Sequence, residues 1–236
     1  MADNDLIIPV KLILDFTLVN LNSNNKPFTI TIPAKTVGKV LSVWKPIKVG
    51  SNYKWTFTWS TSLSDSSKYL NLKNYSLPFF KHSSIKLTQK PGGIFSHKGV
   101  FAYDFAMPIG TPILAAKSGR VVMVKDDSSI GGNDKNFLNQ ANYVCIYHAD
   151  GSVANYAHLN TKGVLVREGE FVNQGQLIAY SGNTGYADGP HLHFELLNTG
   201  TATQAIGLDW KTLSGDILTI KPVLGKWYKQ LTRLLL

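Results

Sequence analysis

From Ile7 to about Trp59 the chain alternates apolar and polar residues, as in Phe28-Thr29-Ile30-Thr31-Ile32 and Tyr53-Lys54-Trp55-Thr56-Phe57-Thr58-Trp59. Side chains two apart share one face of an extended chain, so this period predicts strands with one buried face. The β-branched and aromatic content fits the same reading. Asn and Ser clusters at Asn20 to Asn25 and Ser60 to Ser67 supply turns between the strands. Residues 1–75 are therefore expected to form a small antiparallel β unit.

At Leu77-Pro78-Phe79-Phe80 the pattern changes, and from about 80 to 200 glycine is frequent and apolar runs are short. Gly119-Arg120-Val121-Val122-Met123-Val124 and Gln176-Leu177-Ile178-Ala179-Tyr180 read as short strands, which suggests an antiparallel barrel or sandwich. Polar residues around Gly131 and Gly132 make Asp126 to Asn142 a long loop, the kind of segment that often walls a functional site. In the tail, Trp227, Leu231, Leu234 and Leu235 recur at helical spacing and predict a short amphipathic helix packed on the protein. The expected organisation is a β-rich domain at 1–75, a second domain at 76–205 and an extension at 206–236 that ends in this helix. The fold class is mainly β: an antiparallel sheet or barrel-like domain with a groove, preceded by the smaller β domain.

Composition narrows the function classes. The 236 residues can bury a sizeable core, and 44% hydrophobic with 17% charged residues is ordinary for a globular protein. The formal charge of +9 favours anionic partners, but no run of five basic residues occurs, so the charge names no partner. No apolar run is long enough to cross a membrane as a helix. Met1-Ala2-Asp3-Asn4-Asp5 lacks the basic and apolar regions of a signal peptide, which leaves a cytoplasmic protein or a mature form with an added start. The single cysteine, Cys145, excludes an internal disulfide and a cysteine-based metal site, and its apolar neighbours make it a small buried hydrophobe.

The six histidines carry the chemistry. In Gly189-Pro190-His191-Leu192-His193-Phe194-Glu195 the alternation points His191 and His193 one way and Leu192 and Phe194 the other, toward a core. Paired imidazoles on one strand face suit a metal ligand beside a proton carrier. His97 and Asp104 lie upstream, and two His with one Asp form a three-ligand zinc set that leaves a fourth position for water. Asn155-Tyr156-Ala157-His158-Leu159 is another strand-like segment with a histidine. His82 reads as surface or satisfied core, and His148, before Ala149-Asp150-Gly151, as part of a turn.

The ordered set His97…Asp104, Gly110-Thr111-Pro112, Tyr156-Ala157-His158-Leu159, Ser181-Gly182-Asn183-Thr184-Gly185 and Gly189-Pro190-His191-Leu192-His193-Phe194-Glu195 resembles the lysostaphin-type (beta-lytic, LytM-like) zinc metallopeptidases over about residues 90–198. The resemblance implies that His97, Asp104 and His193 hold Zn2+ and that His158 and His191 are the catalytic histidines. Six residues, Lys98 to Tyr103, separate His97 from Asp104, where many relatives have three, so a loop or bulge must absorb the difference. The resemblance further implies a peptidoglycan endopeptidase acting on cross-links or stem peptides in the periplasm or outside the cell. On that reading the protein is a monomer with no nucleic-acid partner and no stable membrane insertion. The rival readings are a non-catalytic wall-binding regulator, which would lack some of these five residues, and a non-haem iron oxygenase, which also uses two His and a carboxylate.

Overall fold

The computed structural model describes residues 1–4, 9–23, 26–48, 50, 52–62, 73–80, 85–90, 96–97 and 102–198, with short strands at 209–211, 217–218 and 227–228. Two compact units emerge: Met1–Ser67 with Thr199–Thr201, and Lys68–Asn198 with Ala202–Leu236.

In the first unit the alternating segments are strands. Val10–Val19 lies between Phe28–Ile32 and Lys54–Ser62 in a three-stranded antiparallel sheet. Val10, Leu12 and Leu14 are buried while Ile13 and Asp15 are exposed, as a period of two requires. Two short antiparallel pairs, Ala2–Asn4 with Thr36–Lys39 and Leu21–Ser23 with Trp44–Pro46, complete it.

The second unit is built on an eight-stranded antiparallel sheet. Its order is Phe171–Val172, Gly119–Lys125, Tyr143–Tyr147, Ser152–Ala157, His191–Asn198, Ala102–Ala106, Ile85–Gln89 and Trp227–Tyr228. Among the described residues the sheet stays open; its two edge strands do not pair into a closed barrel. One face packs on a core that includes Phe105, Tyr156, Leu192 and Phe194, each almost wholly buried. Burying such side chains stabilises by roughly 1.5–3 kcal/mol apiece. Tyr156 meets Phe194 edge-on at 5.1 Å, and its hydroxyl accepts the Ala116 N–H at 2.8 Å. A smaller antiparallel sheet, Pro112–Leu114, Leu177–Ser181 and Leu159–Val164, contributes Ile113, Leu159 and Ile178 to the same core.

Several sequence expectations change in detail. The Asp126–Asn142 segment contains a 3-10 helix, Lys135–Gln140, capped by Asp134, whose carboxylate accepts the Asn136 N–H at 2.9 Å. It also contains Gly131–Gly132, which pairs in parallel with Gly185–Tyr186. A methyl at Gly131 would stand 1.8 Å from the Asn183 carbonyl oxygen, and Gly185 has a φ of +80°, so both positions require glycine. Of the expected C-terminal helical stripe, Trp227 lies instead in a strand paired with Ile85–Lys86; Leu231, Leu234 and Leu235 lie outside the described residues, as do His82 and Lys98 to Phe101. Cys145 is buried, and burial pushes its thiol up to about 12.

His148 does hold a turn: its carbonyl accepts the Gly151 N–H at 2.9 Å. The ring is buried edge-on against Tyr75, with Nδ1 donating to the Ser118 carbonyl at 3.0 Å. Burial pushes its pKa down to about 4, and the Ser118 contact only partly offsets that. The unfolded chain, near 6.5, therefore takes up a proton before the folded one does, so this stabilisation is present above pH 6.5 and is lost as pH falls toward 4. By pH 4.5 the loss should be about 2–3 kcal/mol. Urea unfolding of the parent and His148→Gln at pH 7 and 4.5 measures it; equal pH dependence in the two proteins would discard the assignment.

Candidate functional site

Three paired strands position the histidines and the aspartate. Asp104 faces His193 in register, Ala106 faces His191, and Ala157 faces His193 from the other side. Paired residues project to the same face, so Asp104, His191 and His193 stand together above the sheet while Leu192 and Phe194 fill the core below.

His158 reaches the same place by a different route. A strand continuing past Ala157 would turn His158 to the core side with Tyr156. Its φ of +61° breaks the alternation, and its ring comes to 4.5 Å from that of His191 and 5.8 Å from that of His193. Left-handed backbone costs a non-glycine residue about 1–2 kcal/mol. Two hydrogen bonds hold the bend, from the Gly182 N–H to the His158 carbonyl at 2.9 Å and from the His158 ring to the Thr184 carbonyl at 2.7 Å. His97 belongs to no strand or helix, yet its ring meets His193 edge-on at 5.2 Å.

Three of the four imidazoles have one nitrogen hydrogen-bonded away from the cluster. Nδ1 of His97 lies 3.3 Å from the Lys90 carbonyl, Nδ1 of His158 2.7 Å from that of Thr184, and Nδ1 of His191 2.8 Å from that of Gly189. A carbonyl only accepts, so these nitrogens carry the proton and Nε2 is left with its lone pair. His193 is reversed: Nε2 lies 3.8 Å from a Glu195 carboxylate oxygen, and Nδ1 lies 3.0 Å from Asp104 Oδ1. Outer acceptors that fix the tautomer in this way are the usual setting of a metal-binding histidine.

His97, Asp104 and His193 offer ligand atoms that all lie within 4.8 Å of one another, a group that can hold a metal ion. Nε2 of His97 is buried and 3.1 Å from Asp104 Oδ2, but it is not aligned for a hydrogen bond and has no hydrogen-bond partner among the described residues. A buried nitrogen lone pair close beside a carboxylate, with no donor to meet it, is costly unless a cation lies between them. The donor set of two imidazoles and one carboxylate, with no fourth protein donor in the group among the described residues, fits zinc with an open position. Burial works to raise the Asp104 carboxyl, but the close approach of His193 and His97 outweighs it and holds the group well below the usual carboxylate range. His193 is the counterpart: burial lowers it, and Asp104 with Glu195 raises it to about 9. Burial and the neighbouring His191 push His158 down to about 4, which keeps it neutral at pH 7.

All five expected site residues line one cavity of about 180 Å³, together with Gln89, Ser96, Leu138, Tyr186, Ala187 and Asp188. A second cavity of about 420 Å³ shares Gln89, Asp104, Asp188 and His191 and extends past Gly189 and Pro190. The pair outlines a groove running past the cluster, and exposed Leu138, from the 3-10 helix, brings the expected loop to its wall. Sequence reasoning assigned no role to Gln89, Thr184 or Glu195. Glu195 was accessible, since it follows His193 by two on the same strand face. Gln89 and the Thr184 carbonyl gave no local signal, because only the folded sheet brings them near.

Residues 96–205 match the model of Peptidase family M23. Peptidoglycan DD-endopeptidase ShyA of Vibrio cholerae is 42% identical over 103 residues, which are 44% of this chain and 21% of that protein. Lysostaphin of Staphylococcus staphylolyticus is 40% identical over 105 residues, 44% of this chain and 18% of that protein. The chain spans about a fifth of the length of the curated relatives it matches. Among solved structures, the catalytic domain of the prophage-encoded M23 protein EnpA from Enterococcus faecalis is 31% identical, with 52% of this chain and 88% of that chain covered at a TM-score of 0.41.

Proposed function

We propose that this chain, which carries a Peptidase family M23 domain over residues 96–205, is a zinc-dependent endopeptidase that hydrolyses peptide bonds in peptidoglycan cross-links or stem peptides. The observation that carries the reading is the orphaned Nε2 of His97, buried beside Asp104 and His193 in a groove that also presents His158 and His191. The names of the relatives supply the substrate class.

In this reading His97 Nε2, Asp104 and His193 Nδ1 hold the ion. A zinc ion bound there would supply Lewis acidity for a scissile carbonyl and for a water molecule. His158 and His191, each with Nδ1–H tied to a backbone carbonyl, present Nε2 as a proton acceptor. One of them takes the proton of the attacking water and, once protonated, donates to the developing oxyanion or to the departing amine. Hydrolysis then needs no covalent intermediate with the protein. In this reading the second compact unit, Lys68–Asn198 with Ala202–Leu236, houses the peptidase domain expected at 76–205, and the first unit is accessory to it. Such a substrate places the action in the periplasm or outside the cell, and among the described residues no helix is long and apolar enough to cross a membrane.

Purified peptidoglycan incubated with the protein should release peptide fragments identifiable by mass spectrometry. Chelation should stop the release and added zinc restore it. Undiminished release by metal-free protein, or none with zinc supplied, would overturn the reading.

A further inference from the structure

We propose that Gln89 is a positioning residue, an amide clip that fixes His97 and the Asp104 carboxylate relative to each other before a metal arrives. The inference rests on the zinc reading above. Asp104 and His193 need little help, because paired strands set their positions directly. His97 lies outside any strand or helix, so something else must hold it. Among the described residues, that role falls to positions 89 and 90.

Gln89 stands opposite Asp104 in register on the neighbouring strand. Its Nε2 donates to Asp104 Oδ2 at 2.7 Å and to Ser96 Oγ at 2.8 Å. Its Oε1 accepts the Ser96 N–H at 3.4 Å. The two donor hydrogens and the acceptor of the amide are thus all engaged, and the orientation is unambiguous, since an ionised carboxylate can only accept. The next residue, Lys90, offers its carbonyl to His97 Nδ1 at 3.3 Å. One strand end therefore holds residues 96 and 97 and, through the same side chain, one oxygen of the buried carboxylate.

The geometry has a direct consequence for the ligands. Asp104 Oδ1 is engaged by His193, so Oδ2 is the oxygen free to turn. With Gln89 donating to it, Oδ2 is anchored and His97 Nε2 keeps its lone pair available. Without Gln89, Oδ2 faces His97 Nε2 3.1 Å away, and a shift of the imidazole proton to that nitrogen would form a hydrogen bond there and use the lone pair that the metal requires. A neutral amide also anchors the carboxylate without adding charge to the site, which a glutamate could not do.

Competition against a chromophoric chelator gives zinc dissociation constants for the parent, Gln89→Ala, Gln89→Met, Ser96→Ala and the Gln89→Ala/Ser96→Ala double variant. Both Gln89 variants should bind zinc about 10- to 100-fold more weakly, the range typical for outer partners of metal ligands. Gln89→Met keeps the side-chain volume, so its loss would come from the hydrogen bonds. The double variant should be no weaker than Gln89→Ala alone, because both mutations cut the same link. The unfolding midpoint of the metal-free proteins should not move, and saturating zinc should restore kcat with KM unchanged. Affinities within twofold of the parent would overturn the clip. So would a loss of affinity that tracks a lowered metal-free midpoint. A parent that binds no zinc would instead overturn the metallopeptidase reading, and the clip with it.

Discussion

Replacing His193 by alanine should remove metal and activity together. His193 Nδ1 lies 3.0 Å from Asp104 Oδ1, in the middle of the strand that pairs with the Asp104 strand. Its loss takes away one of three protein donors and leaves the Asp104 carboxylate buried without its nearest cationic partner. The drop in zinc affinity should exceed the roughly 10- to 100-fold that outer partners command, and hydrolysis should fall to background. His97→Ala should behave alike. Zinc per chain, measured by elemental analysis after desalting, together with the rate of peptide release, tests this. A His193→Ala protein that retains one zinc per chain would remove His193 from the ligand set.

His158→Ala and His191→Ala should fail in the opposite manner, keeping zinc near one per chain while turnover falls by roughly 100- to 10,000-fold, the usual cost of losing a general acid or base. Neither residue belongs to the three-donor group, although His191 Nε2 is only 3.8 Å from Asp104 Oδ1. That proximity makes the metal measurement decisive. If His191→Ala loses its zinc and His193→Ala keeps it, the two roles are exchanged.

The pairing of His191 with His193 was legible because strand alternation is a local rule, and the same rule placed Leu192 and Phe194 in the core. His158 was legible only through its motif. Alternation alone sends it to the Tyr156 side, and nothing local in Tyr156-Ala157-His158-Leu159 announces a φ of +61°. The bend is imposed from outside, by the Gly182 and Thr184 backbone some 25 residues away in sequence. The Asp126–Asn142 segment is similar. Its polarity and glycines read as loop, yet Gly131 lies against the Asn183 backbone and forms a parallel bridge to Gly185, a contact between distant segments. Gln89 is the extreme case, since its meaning depends wholly on the strand register that sets it opposite Asp104.

The place of the His-Leu-His strand within the sheet also bears on when the site comes into being during biosynthesis. His191–Asn198 is inserted between Ala102–Ala106 and Ser152–Ala157, both of which precede it in the chain. A ribosome therefore delivers His97, Asp104 and His158 well before the strand that joins their supports. Until that strand docks, the central sheet has a gap, two of the four imidazoles are absent, and Asp104 lacks its partner. A fragment ending before His191 would hold two of the three candidate metal donors and lack the strand that lines the groove. Pairings of such long sequence separation form late and slowly, so the proposed site is assembled only when that strand docks.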